Sequence, residues 1–216
     1  MHLHRDLDKL KKEILILGSL AEDALASAIL ALRDRRPNLA KEVQDGDQRL
    51  DEREIRIEEE CLKILALHQP VATDLRFVVA VMKVNNDLER VGDLAGNLAA
   101  RAAYLAQRAV VDRPPGLERM ADAVPAMLRK ALESLVRLDT LMARQVLKDD
   151  QEIDATHSEL YADIAQRMRD APDEIDELMQ LLSTSRYLER IADLATNIAE
   201  DVIFMVDGDV VRHRTW

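Results

Sequence analysis

Two stretches of this chain carry the same polar side chains at the same spacing, one hundred positions apart. The retained residues are Glu89, Arg90, Asp93 and Asn97 in the first stretch, and Glu189, Arg190, Asp193 and Asn197 in the second. The apolar residues between them are exchanged, as Val91 is for Ile191. An internal repeat of this kind indicates a duplicated architecture. Because core packing gives no reason to retain the acids, the polar residues are the candidates for function.

On a helix these polar residues form one stripe. At 100° per residue, Glu89, Asp93 and Asn97 lie at about 0°, 40° and 80°, whereas the apolar residues of the segment fill roughly 140° to 260°. We therefore expect the acids to face away from the core. Gly92 and Gly96 lie beside the stripe, where a missing side chain lets a second helix or a cation approach closely.

A second pair of acids is duplicated on the preceding helix. The pair lies among apolar residues that recur every seven positions. The same pattern, with its acids, recurs 103 positions later. Each half then carries two carboxylate pairs at i,i+4 spacing, and each pair projects from one helix face. Such oxygen ligands suit Mg²⁺, Mn²⁺, Ca²⁺ or iron. The predicted metal ligands are Asp47, Asp51, Glu89, Asp93, Asp150, Asp154, Glu189 and Asp193.

The retained arginines and asparagines are predicted to support these ligands. Asn97 and Asn197 supply an amide oxygen or bridge helices, and Arg90 and Arg190 orient a carboxylate from behind the ligands. The alternative is a solvated helix face, on which nearby arginines neutralise the acids. The matched positions in both halves favour metal binding.

An enzyme is the rival interpretation. Oxidative di-iron bundles use Glu-x-x-His ligand pairs that point into the bundle, and this chain has none. His157 follows Asp154 by three residues, but position 54 of the first half is Glu, so we predict a surface histidine. We identify neither a Gly-rich phosphate loop nor a Ser-His-Asp arrangement. These observations favour a regulator or adaptor over a metal-dependent carboxylate-bundle enzyme, and a structural helical interaction module is the third possibility.

The composition predicts an all-α protein of long helices. Of its 216 residues, 48% are hydrophobic and 33% charged, but only 3% are aromatic. That balance lacks the β-branched and aromatic clusters of strands. The net charge of −11 opposes nucleic-acid binding and favours cations or basic partner surfaces.

Apolar periodicity and helix breakers predict two tandem, pseudo-symmetric three-helix bundles, with short connections and antiparallel helices. The Pro-Pro-Gly segment within 111–116 is the predicted link. The predicted helices of the first half span about 6–35, 37–68 and 73–108, and a sixth helix runs from about Pro172 to Val206, ended by Gly208. The predicted domains, each large enough to bury its own core, are 1–110 and 117–208, followed by a C-terminal tail, 209–216.

The sequence also predicts where the protein resides. Its unbroken apolar runs, such as 28–32 and 77–82, are far shorter than the roughly 20 residues of a membrane-spanning helix. The first residues show no secretory signal, so we expect a soluble, cytoplasmic protein. Cys61 is the only cysteine and is expected to be a small buried hydrophobe.

The motifs together resemble the PhoU family of phosphate-transport regulatory proteins, over nearly the whole chain. They are the segment from Gln69 to Arg76, which reads QPVATDLR, the segment from Asn86 to Asp93, which reads NDLERVGD, and the segment from Arg190 to Glu200. Leu94 and Leu194 stand where that family frequently has His, and the second half lacks the Gln-Pro-x-x-x-Asp-Leu-Arg form.

The resemblance implies two three-helix bundles that bind metal on the eight acids already named. The expected metal is divalent or trivalent, namely Mg, Mn or Fe, including a multinuclear iron cluster. It further implies a negative regulator of the phosphate-starvation response, linking the ATPase subunit of the phosphate ABC transporter to a sensor histidine kinase. We also expect a homodimer, without nucleic-acid partners, that reaches the membrane only through its protein partners.

Overall fold

The computed structural model describes residues 2–211, which form six α-helices and no strand. The helices are α1 (His2–Arg33), α2 (Pro37–His68), α3 (Ala72–Ala106), α4 (Pro115–Arg137), α5 (Thr140–Asp170) and α6 (Ile175–Asp207). The prediction of an all-α fold with two sets of three helices is confirmed.

Several helices begin or end at residues whose chemistry favours a helix terminus. Pro37 is the first residue of α2, where its missing N–H is not needed. The Asp139 side chain caps α5 by accepting hydrogen bonds from the N–H groups of Leu141 and Met142, both at 3.0 Å. Gly208 ends α6 in the left-handed region, at φ 80°. Pro172 starts a 3-10 turn, Pro172–Glu174, that leads into α6.

The two bundles are joined through their third helices. Helices α1, α2 and α3 pack on one another, as do α4, α5 and α6, and α3 packs lengthwise against α6. This pair is antiparallel, because Arg76 Nε donates to Met205 O at 3.3 Å near one end and Arg101 Nη1 donates to Gln180 Oε1 at 2.9 Å near the other. The retained acidic segments therefore lie near the middle of the molecule.

The buried apolar side chains form one continuous core that crosses the bundle boundary. Leu88 of α3 and Leu188 of α6, at matched repeat positions, are both fully buried. The sequence led us to expect a separate core in each half. The α3–α6 contact merges them, because both helices are apolar on the faces that meet.

Two differences concern the ends of the chain. Helix α1 is long and apolar enough by composition to cross a membrane: a window within Leu3–Arg33 has a mean hydropathy of 1.8, and 44% of it is buried. The core helix of a soluble protein passes the same test, and Leu17 and Leu25 are fully buried here. In the predicted tail, Val211 is buried at 1% exposure, and 212–216 lie outside the described residues.

Candidate functional site

The four predicted ligands of the first half lie together between α2 and α3. Asp47 and Glu89 are half-buried, whereas Asp51 and Asp93 are exposed. Burial raises the pKa of Asp47, and the charges of Asp51 and Asp93 raise it further. The pKa of Glu89 is raised by burial and then by Asp93, Asp51 and other acids of the cluster. Asp47 and Glu89 are therefore each exposed to the negative charge of acids on the other helix.

A fifth acid, Glu54, belongs to this cluster and was missed from the sequence. Burial raises its pKa, as do the charges of Glu58 and Asp51, and its own charge acts on Glu89. The buried amide of Asn85 donates from Nδ2 to Glu54 O at 3.0 Å and to Glu54 Oε1 at 3.2 Å. This pair ties α2 to α3 one turn from the predicted ligands.

The second half assembles its acids in the same way between α5 and α6. Burial raises the pKa of Asp150 to about 7, and the charges of Asp154, Asp193 and Glu189 add to the effect. The pKa values of Glu189 and Asp193 are also raised, chiefly by burial. Among the described residues, Asp150 Oδ1 is a buried oxygen with no hydrogen-bond donor. A buried carboxylate oxygen without a donor would be stabilised by a nearby cation.

His157 takes the place in the second half that Glu54 has in the first. The prediction that it is a surface histidine is wrong, because it is half-buried and its Nδ1 is a buried atom without a hydrogen-bond partner in residues 2–211. Burial lowers its pKa, against the opposing effect of Asp154. The offset of 103 that relates Asp47 to Asp150 also relates Glu54 to His157, so the sequence contained the signal.

Gly92 allows the close approach that its position suggested. A Cβ at Gly92 would lie 2.6 Å from Leu50 Cδ1 and 3.5 Å from Asp47 Oδ1. The missing side chain therefore lets α2 pack closely on α3 and leaves space beside Asp47. Gly96 differs, since a Cβ there would meet nothing within 4 Å, so the first half has room for a side chain at the position that Thr196 occupies in the second.

The predicted supporting residues have separate surroundings. Asn97 Nδ2 donates to the backbone oxygen of Asp93 at 2.9 Å, and Asn197 is half-buried. Arg90 Nη1 lies 3.5 Å from Asp87 Oδ1 and pairs with it. The charges of Arg190 and Arg90 both lower the pKa of Asp193, against the larger effect of burial. Because Arg90 belongs to α3, the first half contributes a cation to the cluster of the second.

The donor set fits a hard cation, although the side chains do not converge as they stand. Within residues 2–211, no group of three or more His, Cys, Asp or Glu side chains is placed closely enough to hold a metal ion. The clusters nevertheless supply carboxylate oxygens from two helices in each half, and Asp150 Oδ1 has no donor. Oxygen ligands of this kind suit Mg²⁺, Mn²⁺ or Fe³⁺.

The architecture and the site define a class: a duplicated helical-bundle protein with one carboxylate cluster in each half. The PhoU domain matches residues 14–102 and 117–202, one match in each bundle. The chain belongs to the PhoU family.

Relatives and solved structures agree over almost the whole chain. A phosphate-specific transport system accessory protein PhoU homolog of Pseudomonas putida is 35% identical, with 96% of this chain and 82% of the relative covered. One of Aquifex aeolicus is 34% identical, with 99% and 97% covered. The crystal structure of PhoU from Pseudomonas aeruginosa superposes with a TM-score of 0.92 at 33% identity, covering 96% of this chain and 100% of that one. By these names the family is one of accessory proteins, not of enzymes.

Proposed function

We propose that this protein is a cytoplasmic adaptor that restrains phosphate uptake and the phosphate-starvation response when phosphate is plentiful. The partners proposed are the ATPase subunit of the phosphate ABC transporter and a phosphate-sensing histidine kinase. Support comes from the relatives, which are named as accessory proteins of phosphate-specific transport over nearly the full length of this chain.

One observation supports the location of the functional site: the acids retained in both halves lie in matched clusters. We propose that each cluster binds a metal ion through Asp47, Asp51, Glu89 and Asp93, or through their counterparts Asp150, Asp154, Glu189 and Asp193. Burial, and after it the charges of neighbouring acids, raise the pKa values of Asp47 and Glu89, and a bound cation would offset both disadvantages of the ionised form.

Metal binding would change what each cluster can contact. A cluster of four ionised carboxylates repels an acidic partner and attracts a basic one. A divalent or trivalent cation cancels half or more of that charge and brings open coordination positions for a partner's oxygen atoms. The metal state thus selects between two kinds of partner surface, which is a property expected of an adaptor.

The test measures metal and partner binding on the same protein. Calorimetric titrations with Mg²⁺, Mn²⁺ and Fe³⁺, together with elemental analysis, are made on wild type and on a variant with both α3 and α6 pairs neutralised. That variant is Glu89→Gln, Asp93→Asn, Glu189→Gln and Asp193→Asn. Binding of the purified ATPase subunit and of the kinase's cytoplasmic part is then measured with and without EDTA.

A second variant separates the site from net charge. It neutralises the same number of exposed acids elsewhere: Asp45→Asn, Glu59→Gln, Asp173→Asn and Glu174→Gln. We expect metal binding and metal-dependent partner binding to be lost in the first variant and kept in the second. If both variants bind metal equally, these acids are not the metal ligands. If the protein binds neither partner, the adaptor proposal is wrong and the protein is a structural interaction module.

Two further parts of the proposal have their own readouts. In cells grown with ample phosphate, deleting the gene should raise phosphate uptake and switch on starvation genes. The second variant, with four exposed acids neutralised outside the clusters, should restore repression.

We also propose a homodimer, which analytical ultracentrifugation at several concentrations would show as a mass twice the 24.4 kDa of the chain. A monomer at all concentrations would remove the dimer from the proposal.

A further inference from the structure

The two carboxylate clusters have the same layout but differ in one donor. At the offset of 103 that relates Asp51 to Asp154, Glu54 of the first half is matched by His157 of the second. The residues of the first cluster therefore offer oxygen atoms, whereas the second has an imidazole beside its acids. Carboxylate oxygen suits Mg²⁺ and Ca²⁺, and imidazole nitrogen suits zinc, iron and other transition metals.

His157 lies on the same face of α5 as the predicted ligands. At 100° per residue, Asp150, Asp154 and His157 are at about 0°, 40° and 340°, and His157 follows Asp154 by about 4.5 Å along the helix axis. Burial lowers the pKa of His157 and raises that of Glu189, and next to burial the charge of Asp154 acts on both groups and raises both values. Asp154 therefore lies beside both, so Asp154, His157 and Glu189 form one group across α5 and α6.

The first half has the same group with a carboxylate in place of the ring. Burial, and then the charges of Glu58 and Asp51, raise the pKa of Glu54. The charge of Glu54 in turn contributes to the raised pKa of Glu89, after burial and other acids. Asp51, Glu54 and Glu89 are thus neighbours across α2 and α3, as their three counterparts are across α5 and α6.

A hydrogen bond that occupies Glu54 is not repeated at His157. Asn85 donates from Nδ2 to Glu54 Oε1 at 3.2 Å. The offset of 100 matches Asn85 to Ser185, whose hydroxyl donates to Leu182 O of its own helix at 2.8 Å. His157 Nδ1 is left as a buried nitrogen with no hydrogen-bond partner among residues 2–211. In the tautomer with the proton on Nε2, Nδ1 presents a lone pair of the kind that binds metal.

We propose that His157 is a metal ligand of the second cluster, together with Asp154 and Glu189, and makes this cluster selective for a divalent transition metal such as Zn²⁺ or Fe²⁺. The first cluster, with oxygen donors, keeps a preference for Mg²⁺. The inference rests on the metal binding proposed above and adds a difference between the halves. Within the described residues the side chains are not close enough to hold an ion as they stand, so binding requires them to turn towards one point. Asp154 is exposed, and exposed side chains change rotamer readily.

The first experiment identifies the histidine that binds metal. The full chain, without an affinity tag and stripped with EDTA, carries isotope label in its five histidines. Proton–nitrogen correlation spectra of the rings are recorded while Zn²⁺ is added in the presence of excess Mg²⁺. We expect the ring signal of His157 to shift with the first equivalent of Zn²⁺. The His157→Gln variant assigns that signal, because the signal is missing from its spectrum.

Calorimetry then measures the selectivity. In His157→Gln the affinity for Zn²⁺ in excess Mg²⁺ should fall about tenfold or more, while the affinity for Mg²⁺ should change by less than about twofold. His4→Gln is the matched control, because it makes the same substitution at an exposed histidine of α1, outside the clusters. It should bind Zn²⁺ as the wild type does. Circular dichroism confirms that both variants are folded.

The outcomes distinguish this inference from the proposed function. If Zn²⁺ binds without shifting the His157 signal, or binds His157→Gln as tightly as wild type, His157 is not a ligand and the inference is wrong, although metal binding by the acids stands. If Asp154→Asn with Glu189→Gln leaves Zn²⁺ on His157 at unchanged affinity, the ring binds metal outside the cluster, which also overturns it. If neither Mg²⁺ nor Zn²⁺ binds the wild type, the proposed metal binding fails as well.

Discussion

Replacing Asp150 with asparagine should stabilise the protein at neutral pH. Asparagine keeps the shape of the side chain and removes the charge that the surroundings disfavour. Burial and neighbouring acids raise the pKa of Asp150 from 3.8 to about 7 in the folded protein. The ionised carboxylate therefore costs folding free energy, and the cost disappears in the Asp150→Asn variant.

The pH dependence of this cost follows from which state holds the proton. Below about pH 4, Asp150 is protonated in both the folded and the unfolded chain, and no cost exists. As the pH rises towards 7, the unfolded chain releases the proton while the folded protein keeps it, so stability falls; above 7 the cost is constant. The whole shift corresponds to about 4 kcal/mol. Partial exposure of the side chain and screening by solvent reduce our expectation to about 1 to 2 kcal/mol.

The assay is urea unfolding followed by circular dichroism in EDTA, at pH values from 4.5 to 8.5. Asp149→Asn is the matched control, because Asp149 pairs with Lys130 and accepts a hydrogen bond from Gln145 at 2.8 Å. That change should leave stability equal or lower at every pH. If Asp150→Asn is no more stable than wild type at pH 8, or if their difference does not grow between pH 5 and 7.5, the electrostatic reasoning is refuted.

Three further changes test the packing. Gly92→Ala should destabilise by about 1 kcal/mol in thermal unfolding, since the clash with Leu50 costs more than helix propensity returns; a stabilised variant would contradict the close contact. Lys83→Met should cost about 2 kcal/mol in urea, because Lys83 Nζ pairs at 2.9 Å with Asp201, which is 2% exposed, and Lys83→Arg should cost less. Cys61 should resist an aromatic disulfide reagent at pH 8 until the protein unfolds, since burial raises its thiol pKa to about 12.

The helices and the pairing of the eight predicted acids could be predicted because each depends on local pattern. Apolar periodicity, Pro37 and Gly208 set the helix ends, and the i,i+4 spacing put each pair of acids on one face. The offsets of 100 and 103 then matched Glu89 to Glu189 and Asp47 to Asp150. All of these are properties of single helices or of the comparison between repeats.

The depth of each side chain in the clusters could not be predicted, because it depends on how two helices cross. Periodicity places His157 on the same side as Asp154, but only the packing of α5 on α6 buries its Nδ1. The same holds for Asp150, whose loss of solvent makes its pKa differ from that of an ordinary surface acid. The antiparallel contact of α3 with α6 also lay beyond the sequence, so the single core was unexpected.

The antiparallel α3–α6 contact has a consequence for the origin of the chain. A protein made of one repeat would expose the apolar face of its third helix, and a second copy would cover that face with the same geometry. The duplication thus corresponds to the fusion of a two-fold symmetric dimer of shorter chains. After fusion the two halves can mutate independently, so one half can have Glu54 where the other has His157. The shared core keeps the two bundles in the same relative arrangement.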